Sequence, residues 1–247
     1  MAKVFISPGH GGSDPGAVAN GFKEKDLNLS IALACRDELE RHGITVGMTR
    51  TEDTFQPLQE DIDECNAFAP DLALDIHNNA GGGDGAEVYY SVNGGTGKVM
   101  AQNILDEIVA IGQNSRGIKT KTNSQGLDWF GIIRETYAPT VLVECAFVDT
   151  KADLAIIDTE AEQKAMGVAI AKGVLKTLGI TWEEPQADKP KVYNTLEEVP
   201  EYAKPTIRKL MDRGWLLGYT DGLGLTEDMI RIFTIHDRAG IYDKTEE

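Results

Sequence analysis

Three short runs in this chain, KVFIS at residues 3–7, DLALDIH at 71–77 and TVLVEC at 140–145, are apolar at almost every position rather than every second one. Strands of that kind are buried on both faces, so they belong to a sheet with helices packed on each side. Helical periodicity fills the intervals. Residues 25–42 place Leu27, Ile31, Ala34 and Leu39 at helical spacing, and Gly43 ends the run. Further helices are predicted over 58–68, 97–111 and 161–178, and further strands over 44–50 and 86–91. Residues 115–130 are polar and read as a loop. Strands alternating with crossover helices predict an α/β fold with a twisted, mostly parallel sheet flanked by helices on both faces.

The composition changes after Ile180. Residues 181–192 carry Pro185 and Pro190 among charged residues, as linkers do. A small, mainly helical domain is predicted over 193–247, with an amphipathic segment broken at Gly214 and a frayed tail at DKTEE. Residues 1–180 then form the main domain.

The formal net charge is −16, which argues against a nucleic-acid partner, since such a partner calls for a basic face. No run of about 18 apolar residues is present, so membrane insertion is not expected. The N-terminus lacks the long apolar stretch of a secretory signal, which predicts synthesis in a cytoplasm without export by that route. Cys35, Cys65 and Cys145 are widely spaced in apolar segments and read as buried free thiols.

The first strand runs into SPGHGGSDPGA, where His10 stands among glycines at the strand's C-terminal end. The glycine spacing matches neither phosphate-binding template, so a metal is the better reading for the histidine. His77 ends a second predicted strand and Glu144 lies near the end of a third. In a parallel sheet those ends share one edge, where ligands bind. Glu24 opens the first helix on the same side. Two histidines and one glutamate with an open fourth position form the ligand set of a catalytic zinc site, and a further carboxylate supplies its general base. Taken one at a time, each residue has a plainer role: a hydrogen-bonded strand-end histidine, a dipole-favoured acid at a helix start, or Glu144 paired with Arg134 or Lys121. His42 reads as a partner for the C-terminal end of its helix, and His236 has no evident partner.

The stretches ISPGHGGSDPGA, KEKDLNLSIA, GITVGMTRTED, PDLALDIHNNA, AEVYY and PTVLVECAFVDTKAD, in this order and spacing, resemble the zinc-dependent N-acetylmuramoyl-L-alanine amidases of the type-3 group, found in bacterial autolysins and phage endolysins. The resemblance covers about residues 3–179. It implies Zn2+ held by His10, Glu24 and His77, with Glu144 as the catalytic carboxylate. It also implies bacterial peptidoglycan as substrate, cut at the amide between N-acetylmuramic acid and L-alanine. Asn78, Asn79 and the glycines after them are candidate substrate-facing groups. With no signal peptide read, the expected setting is a phage endolysin acting on the wall after release; a bacterial autolysin, or another zinc peptidase or deacetylase, is the alternative. This chain departs from the family pattern at Asp61, where an arginine is usual, at Cys65, where alanine is usual, and at Asp75, where serine is usual. Ala146 replaces a usual glycine, and Asp149 an asparagine. None of these removes a ligand. The C-terminal region weakly resembles an S-layer-homology unit, which implies binding to a secondary cell-wall polymer; self-association is the plainer reading.

Overall fold

The computed structural model describes residues 1–185 and 190–243. Part of the predicted linker (186–189) and the end of the tail (244–247) lie outside the described residues. Two compact units are present, Met1–Glu183 and Glu184–Glu247.

The first unit begins with β1 (Lys3–Pro8), a small hairpin of β2 (Val18–Ala19) and β3 (Phe22–Lys23), and α1 (Glu24–Arg41). Next come β4 (Thr45–Met48), α2 (Leu58–Phe68), β5 (Leu72–Asn79), β6 (Ala86–Tyr90), α3 (Gly95–Ala110) and β7 (Ser115–Lys119). The unit closes with α4 (Gly131–Glu135), β8 (Thr140–Phe147), α5 (Lys151–Leu154) and α6 (Glu160–Thr177). The six-stranded sheet has the order β4-β1-β5-β8-β6-β7. Every neighbouring pair is parallel except β6 with β8.

Successive side chains on a strand point to opposite faces, and here each face has its own core. Val4, Ile6, Leu72, Leu74, Ile76, Val141 and Val143 pack with α1, α3 and α6. Phe5 and Ala73 meet Cys65, while Leu142 meets Ile62, Ile132 and Ile133 from α2 and α4 on the other face. Helix α6 starts with a capping box in which the Thr159 hydroxyl and the Glu162 carboxylate satisfy each other's backbone N–H. The three cysteines are buried and unpaired, as expected.

Two differences from the sequence expectation stand out. The segment read as a loop over 115–130 opens with β7, which pairs parallel to β6 at the sheet edge. Its strand Ser-Arg-Gly-Ile-Lys is polar because an edge strand needs no second buried neighbour, so the apolar run that marks an inner strand is missing. The first unit also extends past residue 180. Trp182 donates its indole N–H to Glu38 near the end of α1, Lys172 lies 3.7 Å from the centre of its ring, and the backbone N–H of Glu183 donates to His42 Nε2 at 3.0 Å. His42 in turn contacts the Glu38 carbonyl through Nδ1 at 2.9 Å, so it closes the helix end as the sequence suggested.

The second unit holds β9 (Val192–Tyr193), α7 (Lys204–Asp212), β10 (Leu225–Thr226) and α8 (Glu227–Arg238). Its core gathers Tyr193, Val199, Ala203, Ile207, Leu223, Leu225 and Ile230. His236 Nδ1 lies 3.2 Å from the Tyr242 hydroxyl. Among the described residues no helix is long and apolar enough to cross a membrane.

Candidate functional site

At the C-terminal ends of β1, β5 and β8 the sheet opens into a groove of about 400 Å3, lined by His10, Asp61, Asp75, His77, Phe130 and Glu144 among others. Strand alternation decides its membership. On β5, Asp75 and His77 follow Ala73 onto the α2 face, and on β8 Glu144 follows Leu142. His77 and Glu144 are register partners across the β5–β8 pair.

Glu24, at the first turn of α1, is 5% exposed and reaches between the two histidines. Its Oε1 lies 2.9 Å from His77 Nδ1 and 3.3 Å from His10 Nε2, and its Oε2 accepts the Ala17 N–H at 2.9 Å. His10, Glu24 and His77 each offer a ligand atom, all within 4.8 Å of one another. The imidazole rings of His10 and His77 stand edge to face, with centres 5.0 Å apart. Burial acts to raise the Glu24 carboxyl, but hydrogen bonds with His10 and His77 outweigh it and hold the group well below the usual carboxylate range. The triad is therefore anionic at its centre and imidazole on both flanks, a donor set that suits a borderline-soft divalent cation.

The glycines around His10 are required by close packing. A Cβ on Gly9 would sit 2.1 Å from His77 Cε1, and one on Gly16 would sit 2.6 Å from Glu24 Oε2. His10 itself adopts a left-handed backbone, φ 61°, and its Nδ1 meets Asp14 Oδ2 at 2.8 Å.

The loop carrying His10 is held by residues to which the sequence reading gave no role. Arg50, 5% exposed, donates to the carbonyls of Pro8 at 3.0 Å, Gly9 at 3.2 Å and Lys25 at 2.9 Å. One guanidinium thus ties the end of β1 to the start of α1, and so His10 to Glu24. Lys25 donates to the Gly12 carbonyl at 2.8 Å and to Asp53 at 2.6 Å, and Asp53 accepts the Gly12 N–H at 2.7 Å. The signal available was position: Arg50 follows the β4 strand end in the stretch GITVGMTRTED.

Glu144 carries a buried carboxylate oxygen, Oε2, with no hydrogen-bond partner among the described residues. Burial pushes its carboxyl up to about 7, with His77 opposing and Glu24 adding to the shift. The pairings considered for it do not form, since Arg134 binds Glu135 and Lys121 lies over the Trp129 ring. Opposite Glu144 across the antiparallel pair is Glu87, which accepts from Arg116 at 2.8 Å, from the Tyr89 hydroxyl at 2.8 Å and from Lys119. A second buried carboxylate beside Glu144 is therefore neutralised by its own cations.

Asn78 does not face the groove. It is 2% exposed, lies on the α1 face of β5, and donates to Asn28 Oδ1 at 2.8 Å. As the immediate neighbour of His77 it must point the opposite way. The side chain of Asn79 is occupied by Glu87 at 3.3 Å and by the Ala80 N–H at 2.8 Å.

Comparison with known proteins places this chain in a family. A family model described as N-acetylmuramoyl-L-alanine amidase matches residues 4–176. The sporulation-specific N-acetylmuramoyl-L-alanine amidase of Bacillus subtilis (strain 168) is 36% identical over 178 residues, which cover 70% of this chain and 67% of that one. The endolysin of Bacillus phage SPP1 is 33% identical over 186 residues, covering 72% and 66%. Among solved structures, Cwp6 from Clostridium difficile aligns with a TM-score of 0.70 at 42% identity, over 72% of this chain and 29% of Cwp6. The catalytic domain of CwlV, an amidase from Bacillus (Paenibacillus) polymyxa var. colistinus, aligns with a TM-score of 0.66 at 29% identity, over 73% and 100%. With a sheet edge that gathers two histidines and two glutamates, and a family match across most of its length, this chain belongs to the N-acetylmuramoyl-L-alanine amidase family.

Proposed function

We propose that the chain is a zinc-dependent peptidoglycan amidase that cuts the bond between the lactyl group of N-acetylmuramic acid and the L-alanine of the stem peptide. The observation that carries this reading is the convergence of His10, Glu24 and His77 in a groove that also holds the unpartnered Glu144 oxygen. Two imidazoles and a carboxylate within 4.8 Å fit zinc, and they leave the groove side open for water and substrate. Zinc held there supplies a Lewis acid that polarises a carbonyl and makes water more acidic. Glu144 does the proton work. Its free Oε2 takes a proton from the attacking water, and the same oxygen returns a proton to the departing alanine nitrogen. Burial favours the protonated form of this carboxyl, the direction a group that takes and then returns a proton needs. Phe130 and Leu58, which line the groove, restrict water around the scissile bond.

The test is mass spectrometry of purified walls after digestion, with and without a zinc chelator. Stem peptides with a free L-alanine amine, lost on chelation and regained with zinc, are expected. Release of acetate, or cleavage within the peptide, would instead indicate a deacetylase or a peptidase. Glu144→Gln is expected to keep zinc and lose about 10²–10⁴ in turnover.

The likeness to the SPP1 endolysin supports a role in host lysis, with the enzyme reaching the wall after release. The likeness to the sporulation-specific amidase supports an autolysin of the same chemistry. The second unit would retain the enzyme on an anionic wall polymer. Lys204, Arg208 and Lys209 of α7 and Arg213 just after it line a groove of about 600 Å3, together with Glu201 and Asp212. Self-association is the competing use, and sedimentation of the full chain with and without purified walls distinguishes the two.

A further inference from the structure

Asp75 is an anomaly inside the groove. It is 6% exposed, and among the described residues its one ion-pair partner is His77, whose Nε2 lies 3.3 Å from Asp75 Oδ1. A carboxylate buried without a cationic or hydrogen-bonding partner is costly, so its contact with His77 is what accounts for its presence. Position alone places the two together. Residues 75 and 77 are two apart on β5 and share one face.

The orientation of the His77 ring gives the contact its meaning. Its Nδ1 faces Glu24 Oε1 at 2.9 Å, the same oxygen that His10 Nε2 approaches at 3.3 Å. Those nitrogens are the ones aimed at the centre of the triad, which leaves His77 Nε2 turned toward Asp75. His10 shows the same arrangement with the atoms exchanged, Nε2 toward Glu24 and Nδ1 toward Asp14 at 2.8 Å. Gly9 packs directly against the His77 ring, where a Cβ would collide with it.

We propose that Asp75 is a positioning residue for the metal centre. It takes the Nε2–H of His77, which fixes the tautomer that leaves Nδ1 free to bind the ion and makes that nitrogen a stronger donor. A carboxylate behind a metal-binding imidazole acts in this way, and its loss typically weakens metal binding by about 10–100-fold. A serine hydroxyl at the same position would be shorter and uncharged, so the chain would hold its ion less tightly with serine there than with Asp75. The inference rests on the zinc reading above.

The experiment is a zinc titration of the full chain against a chromophoric chelator, with circular dichroism to report the fold and the visible spectrum of the cobalt-substituted protein to report coordination. Wild type, Asp75→Asn and Asp75→Ser are compared. Both variants are expected to stay folded, to bind zinc about tenfold or more weakly, and to shift the cobalt bands. Asp75→Glu is expected to regain part of the affinity. Asp75→Ser decides the matter if Asp75→Asn fails to fold. Zinc affinity and cobalt spectra in folded variants equal to those of the wild type would overturn the role of Asp75 while leaving the zinc reading intact. A wild-type chain that binds neither ion would overturn both.

Discussion

Gly9 makes the case at the scale of single residues. It has no unusual backbone requirement, yet the His77 ring occupies the space where its Cβ would project. Gly9→Ala therefore displaces the ring. The expected outcome is a folded protein with zinc affinity reduced tenfold or more and little amidase activity, checked by elemental analysis and wall digestion. Asp61 makes the opposite case, a charge the groove holds at a cost. Its Oδ1 is buried without a partner, and burial first, then Asp75, pushes its carboxyl up to about 7. The sign follows from the direction of the shift. The folded state binds this proton more tightly than the unfolded state does, so stability falls as pH rises from roughly 4 to about 7 and is level above that. Asp61→Asn is expected to raise the melting temperature of the chelator-treated protein at pH 8, with the gain vanishing near pH 4. Calorimetry at the two pH values checks it, and an equal gain at both would count against this origin.

Among the elements, the α1–α6 contact depends on one small residue. A Cβ on Gly167 would meet the Ile31 carbonyl oxygen at 2.5 Å, Ala34 Cβ at 2.7 Å and the Cys35 nitrogen at 2.8 Å. Two of these neighbours are backbone, which cannot rotate away. Alanine is the better helix former by about 1 kcal/mol, yet Gly167→Ala is expected to destabilise by about 1–3 kcal/mol through overpacking, read from the urea midpoint. The sequence predicted this helix but not that Gly167 lies against α1. Inner strands were legible because both their faces are buried, whereas β7 was not, because an edge strand can be polar. The same period of two that brought Asp75, His77 and Glu144 into one groove turned Asn78 away from it.

For the whole molecule, the boundary between the units is the testable feature. The first unit ends at Glu183, after Trp182 has bound back to Glu38. A chain of residues 1–183 is expected to unfold cooperatively and to cleave a soluble muramoyl-peptide at a rate near that of the full protein. A chain ending at 180 should melt lower, since it loses the Trp182 contacts with Glu38 and Lys172. On intact walls the 1–183 chain should lose about tenfold or more if the second unit retains the enzyme there, because tethering raises local concentration without new contacts at the site. Equal activity on walls would remove that role. The sequence by itself determined the α/β class, the order of the inner strands and long helices, and the histidines and glutamates at strand ends and a helix start, because those depend on local periodicity and on the rule that parallel strands share an edge. Only the tertiary structure decided which side of each strand faces the groove, that Arg50 ties His10 to Glu24, and that Asp75 backs His77. Those facts depend on contacts between residues far apart in the chain or on the direction of a ring, and neither leaves a periodic trace in the order of amino acids.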